Sequence, residues 1–238
     1  MAELRGDQRA SYVQDMFTRI AHRYDLMNRL MTAGQDTGWR REVIRRAALP
    51  PRGRLLDLGA GTGDLAGEAI RQRPDCRPVA ADFTLEMMRV GQARWRTGGH
   101  TDAQLDWAAA DALRVPFPDG AFDAVVSGFL LRNVTDIPQT LREQHRVLKP
   151  GGRIVALDTT RPNPGLFSPL IDFHLHRVIP ALGGLITGEA EAYRYLPTTT
   201  ELFLSAEQLA ARLVAVGFRR VGFRRLMFGT IAIHWGIK

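Results

Sequence analysis

Apolar positions along this chain change period near residue 54. Before it they recur three and four residues apart: Tyr12, Met16, Phe17 and Ile20, then Leu26, Met27, Leu30 and Met31, then Trp39, Val43, Ile44 and Ala47. That spacing predicts helices over residues 8–48, with stops at Gly34 and Pro50-Pro51. From Arg54 short apolar runs alternate with amphipathic stretches. Residues 54–58, 79–82, 104–109, 122–127 and 153–158 predict five strands. Helices are expected over about 64–73, after Thr84 as cap with Met87 and Met88 facing inward, and through Leu141 and Val147 as far as Pro150-Gly151-Gly152. Strands that are apolar nearly throughout must be covered on both faces. The alternation therefore predicts an α/β fold with a Rossmann-like parallel sheet, helices on both sides, and a crevice at the carboxyl ends of the strands.

After Asp158 the alternation stops. Residues 161–200 contain five prolines around apolar patches such as Leu166, Phe167, Leu170, Ile171, Phe173, Val178 and Ile179, and are expected to form a helical lid. A last helix over 205–216 and two runs, 218–226 and 229–235, close the chain as a hairpin that adds an antiparallel strand. The whole of 1–238 is then one domain: a helical cover (8–48), a cofactor-binding core (54–160), a lid insertion (161–200), and the last helix with its hairpin (201–238).

The composition, 45% hydrophobic and 24% charged, is that of an ordinary globular protein. The single cysteine, Cys76, excludes a disulfide framework, and no run approaches the roughly 20 apolar residues of a membrane span. A cytoplasmic location is expected. The formal charge is +7, and beyond Glu207 the chain has no acid but carries Arg212, Arg219, Arg220, Arg224, Arg225 and Lys238. Such an end suits nucleic acid, anionic lipid or a solvated basic edge.

The chemistry concentrates at the strand ends. The first strand runs into Gly59-Ala60-Gly61-Thr62-Gly63, and Asp64 opens a helix. Glycines admit positive φ and close approach of a ligand to the main chain. The sixth-position glycine of a dinucleotide fingerprint is replaced by Asp64, and no P-loop lysine follows. Acids at Asp57 and Asp64 flank the loop and suit an amino group and a sulfonium better than a pyrophosphate. Asp82 stands where a carboxylate can accept from ribose hydroxyls, next to Phe83. Asp111-Ala112 ends the third strand, within reach of an adenine amino group. Scattered histidines without paired spacing make no metal site.

With these residues in view, the chain resembles a class I S-adenosylmethionine-dependent methyltransferase. More narrowly it resembles the ubiquinone/menaquinone biosynthesis C-methyltransferases. The matches are Arg23-Tyr24-Asp25-Leu26-Met27-Asn28, Gly61-Thr62-Gly63-Asp64, Leu131-Arg132-Asn133-Val134-Thr135-Asp136, Arg146 to Gly152, and Tyr193-Arg194-Tyr195-Leu196-Pro197. The resemblance implies S-adenosylmethionine as cofactor, with Thr62, Asp82, Asp111-Ala112 and Ser127 on the family's cofactor-contacting positions. It also implies methylation of a prenylated quinol ring, demethylmenaquinol to menaquinol. Ring methylation of a ubiquinone precursor, or O- or sterol methylation on the same fold, stand as alternatives. Departures occur at Asp111, where the family usually has asparagine, at Leu130 (glycine), at Asp158-Thr159 (glutamate-phenylalanine) and at Trp235 (arginine).

Ring carbons attack a methyl group only once a neighbouring hydroxyl has lost its proton. The expected cation for that oxyanion is Arg132, with Asn133 orienting the hydroxyl or a relay water; a structural ion pair is the alternative for Arg132. Tyr24 and Asp25, from the helical cover, complete the acceptor wall or a proton relay. The lid would hold the prenyl tail, and the basic C-terminus would bring the enzyme to the inner face of the cell membrane as a peripheral protein. A homodimer is a further expectation. Nucleic acid is not an expected partner: Ser127-Gly128-Phe129-Leu130-Leu131-Arg132 has no proline to grip a flipped base.

Overall fold

The computed structural model describes residues 6–101, 104–161, 177–178 and 203–238. Most of the expected lid, including Tyr193 to Pro197, lies outside the described residues. The chain opens with α1 (Gly6–Ile20), a 3-10 turn (Ala21–Arg23), α2 (Tyr24–Met31) and α3 (Asp36–Ala47). It then alternates β1 (Arg54–Leu58), α4 (Asp64–Gln72), β2 (Arg77–Asp82), α5 (Leu85–Thr97), β3 (Asp106–Ala109), β4 (Phe122–Gly128), α6 (Ile137–Val147) and β5 (Leu148–Thr159). After the lid region come α7 (Ala206–Val216), β6 (Arg219–Leu226) and β7 (Ile231–Ile237).

The sheet runs β3-β2-β1-β4-β5-β7-β6. β1 to β5 are parallel, and β7 inserts antiparallel between β5 and β6. Because side chains alternate along a strand, each strand feeds two cores. Leu55, Ala124, Val126, Val155 and Leu157 face α3 and α4 through Val43, Ile44, Leu65 and Ala69. Leu56, Leu58, Val125, Ile154 and Ala156 face α6 and α7 through Leu141, Leu209 and Leu213. Burial of a side chain of this size is worth about 1.5–3 kcal/mol, so the two layers hold the strand ends in fixed register.

Two local expectations are refined. Strand β5 begins at Leu148, before the Pro150-Gly151-Gly152 turn, because Phe122 already pairs with Leu148; a register shift then carries pairing to Arg153. Thr84 is the N-cap of α5, but its side chain makes no cap bond; the Asp82 carboxylate accepts from the Thr84 amide instead. The N-terminal helices have a small core of their own, Met16, Ile20 and Met27 with Phe17 and Tyr24. This core lies over the end of the sheet where the order reverses between β1 and β4, which is where open α/β sheets bind ligands.

Candidate active site

The chain leaves β1 and turns back beneath β2. Gly59 and Ala60 both donate to the Ala81 carbonyl, at 2.8 and 3.0 Å. Gly61 N–H donates to Asp82 Oδ2 at 2.7 Å, and Thr84 N–H to Asp82 Oδ1 at 2.7 Å. Asp82 therefore braces the loop with both oxygens and keeps its remaining lone pairs on the cleft wall. Gly59 and Gly63 sit at φ +70° and +80°. A Cβ on Gly59 would fall 2.8 Å from Leu130, and one on Gly63 would fall 2.6 Å from the Trp107 ring, so the loop admits no side chain at either position.

Asp57 is 1% exposed. Its Oδ2 accepts from Ala66 N–H at the start of α4, at 3.0 Å. Its buried Oδ1 has no hydrogen-bond partner among the described residues, and neither has Nδ2 of buried Asn28. Both residues line one small cavity of about 40 Å³, together with Gly59, Gly61, Thr62 and Arg40. An orphan acceptor and an orphan donor facing one cavity suit a zwitterion: an ammonium on Asp57 and a carboxylate on Asn28 and Arg40. The methionine end of S-adenosylmethionine has that chemistry. Burial, reinforced by Asp82 and Asp64, pushes the Asp57 carboxyl up to about 7, against the pull of the Ala66 amide.

The larger cleft, about 360 Å³, opens beside it. Its lining includes the polar Asp82, Thr84 and Asp111 after β2 and β3. It also includes apolar and aromatic groups: Val13 and Phe17 of α1, Tyr24 of α2, and Phe129 and Leu130 after β4. Phe83, Ala112, Met87, Gly128 and Asn133 complete the wall. Asp111 is exposed and its Oδ1 accepts from Leu113 N–H at 2.8 Å. Asn133 donates to the Phe129 carbonyl at 2.9 Å, and its buried Oδ1 has no partner among the described residues. Phe129 takes φ +59° on the strand end, a conformation a bulky residue holds only against a cost of about 1–3 kcal/mol. Its amide donates to Leu157 O at 2.7 Å, which fixes the kink.

Ser127, Arg132, Thr62 and Asp25 are not among the residues that line this larger cleft. Ser127 is 1% exposed on β4 and does not line the cleft. Arg132 also stands behind the wall. Its backbone N–H donates to Asp158 Oδ2 at 3.3 Å, its Nε lies 3.9 Å from Asp158 Oδ1, and its guanidinium is 5.1 Å from the Phe129 ring centre. Burial raises the Asp158 carboxyl to about 6, and Arg132 offsets part of that rise. Thr62 and Asp25 meet each other: the hydroxyl donates to Asp25 Oδ1 at 2.8 Å, while Oδ2 pairs with Arg94. Arg94 also donates to Thr62 O at 2.9 Å and pairs with Asp64; Arg40 pairs with Asp64 and, at 3.1 Å, with Asp36. This network ties the helical cover to the glycine loop. Sequence reading missed Arg94 and Arg40, because an arginine on an amphipathic helix carries no sign of its partner 69 or 24 residues away. Burial, with Asp64 adding to it, raises the Asp25 carboxyl; burial also raises the Tyr24 phenol.

A family model described as the ubiE/COQ5 methyltransferase family matches residues 4–238. The chain is 45% identical over 226 residues, 95% of its length and 90% of the relative's, to the "Ubiquinone/menaquinone biosynthesis C-methyltransferase UbiE" of Desulfotalea psychrophila. It is 44% identical over 221 residues, 93% of its length and 99% of the relative's, to the "Demethylmenaquinone methyltransferase" of Thermus thermophilus. Among solved structures, the [4+2]-cyclase SpnF superposes with a TM-score of 0.70 at 18% identity, covering 95% of this chain and 94% of that one. At that identity the likeness concerns the fold alone.

Proposed function

The chain belongs to the ubiE/COQ5 methyltransferase family, and from that premise we infer that its cleft methylates a ring carbon of a prenylated quinol, demethylmenaquinol to menaquinol, with S-adenosylmethionine as donor. The observation that carries the reading is that the 360 Å³ cleft is lined both by the strand-end carboxylates Asp82 and Asp111 and by the apolar or aromatic Val13, Phe17, Tyr24, Phe129 and Leu130. The first suits the amino acid, ribose and adenine of the donor, the second a flat hydrophobic ring. The naphthoquinol is preferred because the Thermus relative, covered over 99% of its length, is named for demethylmenaquinone. A ubiquinone precursor is the second reading, since the name of the Desulfotalea relative covers both quinones.

The donor supplies an electrophilic methyl group on a sulfonium. In this reading Asp57, Asn28 and Arg40 hold its amino-acid end, Asp82 its ribose, and Asp111 and Ala112 its base. Phe17, Tyr24, Phe129 and Leu130 confine the ring, and positioning of this kind is worth about 7–11 kcal/mol of a barrier. Arg132 contributes positive potential from behind Phe129, which favours the phenolate form of the ring. Asn133 Oδ1, buried on the same wall and without a donor among the described residues, orients the ring hydroxyl. Tyr24 stays protonated because it is buried, and so it can donate to an oxyanion. Among the described residues no helix is long and apolar enough to cross a membrane. The enzyme meets its lipid substrate from the surface, with the acid-free basic C-terminus toward anionic headgroups.

The test is incubation with methyl-labelled S-adenosylmethionine and, separately, reduced demethylmenaquinone and a reduced demethylated ubiquinone precursor. A product heavier by one labelled methyl on the naphthoquinol carbon is expected. Label on oxygen, or transfer to neither ring, would sink the assignment.

A further inference from the structure

Behind the glycine loop, on the side away from the quinol wall, lies a second cavity of about 340 Å³. Its lining carries Arg29, Arg40, Arg41, Arg71 and Arg94 with the carboxylates Asp64 and Glu68, and Asp36 and Asp25 reach Arg40 and Arg94 from just outside it. Three of the five arginines are neutralised by these acids: Arg40 with Asp64 and Asp36, Arg94 with Asp64 and Asp25, and Arg71 with Glu68 at 2.7 Å. The exposed guanidinium groups of Arg29 and Arg41 have no ion pair or side-chain hydrogen bond among the described residues. The positive charge left over is that of Arg29 and Arg41, and two guanidinium groups without a carboxylate among the described residues, lining a hollow of small-molecule size, suit an anion. The planar fork of arginine matches phosphoryl oxygens two at a time.

We propose that this cavity binds a small soluble polyanion of the diphosphate class. The charges line a hollow rather than a flat face, which suits a discrete molecule better than a lipid surface. The site also shares a wall with the donor pocket: Arg40, Thr62 and Asp64 line both this cavity and the small one beside Asp57. Its occupant therefore draws on arginines that hold the loop in place, and donor and polyanion change each other's affinity by one common factor.

The experiment titrates pyrophosphate calorimetrically into the full chain at fixed ionic strength. Saturable binding is expected, about tenfold or more weaker in Arg29→Gln/Arg41→Gln, because each charged hydrogen bond is worth that much. Both substitutions lie at exposed positions outside the cleft, so methyl-transfer rate without pyrophosphate stays as in the wild type. Pyrophosphate affinity is expected to shift when S-adenosylmethionine is saturating, and the converse titration to shift equally. No saturable binding, equal affinity in the double variant, or the same displacement by sodium chloride would overturn the site. Affinities that ignore the second ligand would overturn the coupling. Capture on phosphatidic-acid vesicles that pyrophosphate does not compete away would overturn the choice of a soluble ligand.

Discussion

Asp57→Asn separates the buried carboxylate's effect on stability from its effect on binding. In the folded protein Asp57 titrates at about 7, raised mainly by burial, whereas an unfolded aspartate titrates near 3.8. Between those values the native state holds a proton that the unfolded state has released, so this residue's contribution to stability falls as pH rises. The favourable contribution is complete below about pH 4 and is gone above about pH 7. From pH 5 to pH 8 the change amounts to about 2–3 kcal/mol, nearly two of the 1.36 kcal/mol steps that one pH unit represents. Asparagine keeps the Ala66 hydrogen bond and does not titrate. Urea unfolding of both proteins at pH 5 and pH 8, without donor, should therefore show the variant gaining about 2–3 kcal/mol on the wild type across the interval. Binding should move the other way. With the ammonium's partner neutralised, donor affinity should drop roughly tenfold to a hundredfold at pH 8, and wild-type affinity itself should rise with pH up to about 7. Parallel stability curves would refute the raised carboxyl, and unchanged donor affinity would remove Asp57 from the amino-acid end.

Asp82→Ala removes the acceptor for both the Gly61 and Thr84 amides, so calorimetry should show donor affinity weaker by about tenfold or more; wild-type affinity would detach Asp82 from the ribose. Arg132→Ala should lower turnover on a demethylquinol while leaving donor affinity in place, and it removes the only cation beside buried Asp158 among the described residues while its backbone hydrogen bonds stay, a loss of about 1–3 kcal/mol in urea at pH 8. Arg132→Lys, which keeps the charge, should recover much of the stability; an unchanged rate in Arg132→Ala would end the oxyanion role. Cys76 is 7% exposed and burial pushes its thiol up to about 11, so a maleimide at pH 8 should label it only on the timescale of unfolding; rapid labelling of native protein would contradict that burial.

The sheet was legible because its signal is local. Leu55, Leu56 and Leu58 leave no polar face, so β1 had to be covered on both sides, and each following strand repeated the message. The carboxylates at strand ends were legible for the same reason: once the strands are parallel, Asp57, Asp82 and Asp111 fall at one edge, and all three line the cavities there. Even the raised carboxyl of Asp57 follows from its setting between apolar neighbours on a central strand. The hairpin was readable as two runs, but the insertion of β7 between β5 and β6 depends on pairing that no run reveals by itself.

Charge partners were the illegible part, and for a physical reason. A guanidinium reaches several ångströms from its backbone, and its energy depends on which carboxylate the fold brings within that reach. Nothing near Arg94 announces that it closes on Asp25, Asp64 and the Thr62 carbonyl, or that Arg132 turns toward Asp158 rather than into the cleft. Leu130 shows the same limit for packing. Read along the chain, it is a departure from the family at the acceptor pocket. In the fold it lies against Gly59, where even a Cβ would collide with it at 2.8 Å. The residue therefore belongs to both walls, so its size sets the depth available to the ring and the freedom of the loop that holds the donor.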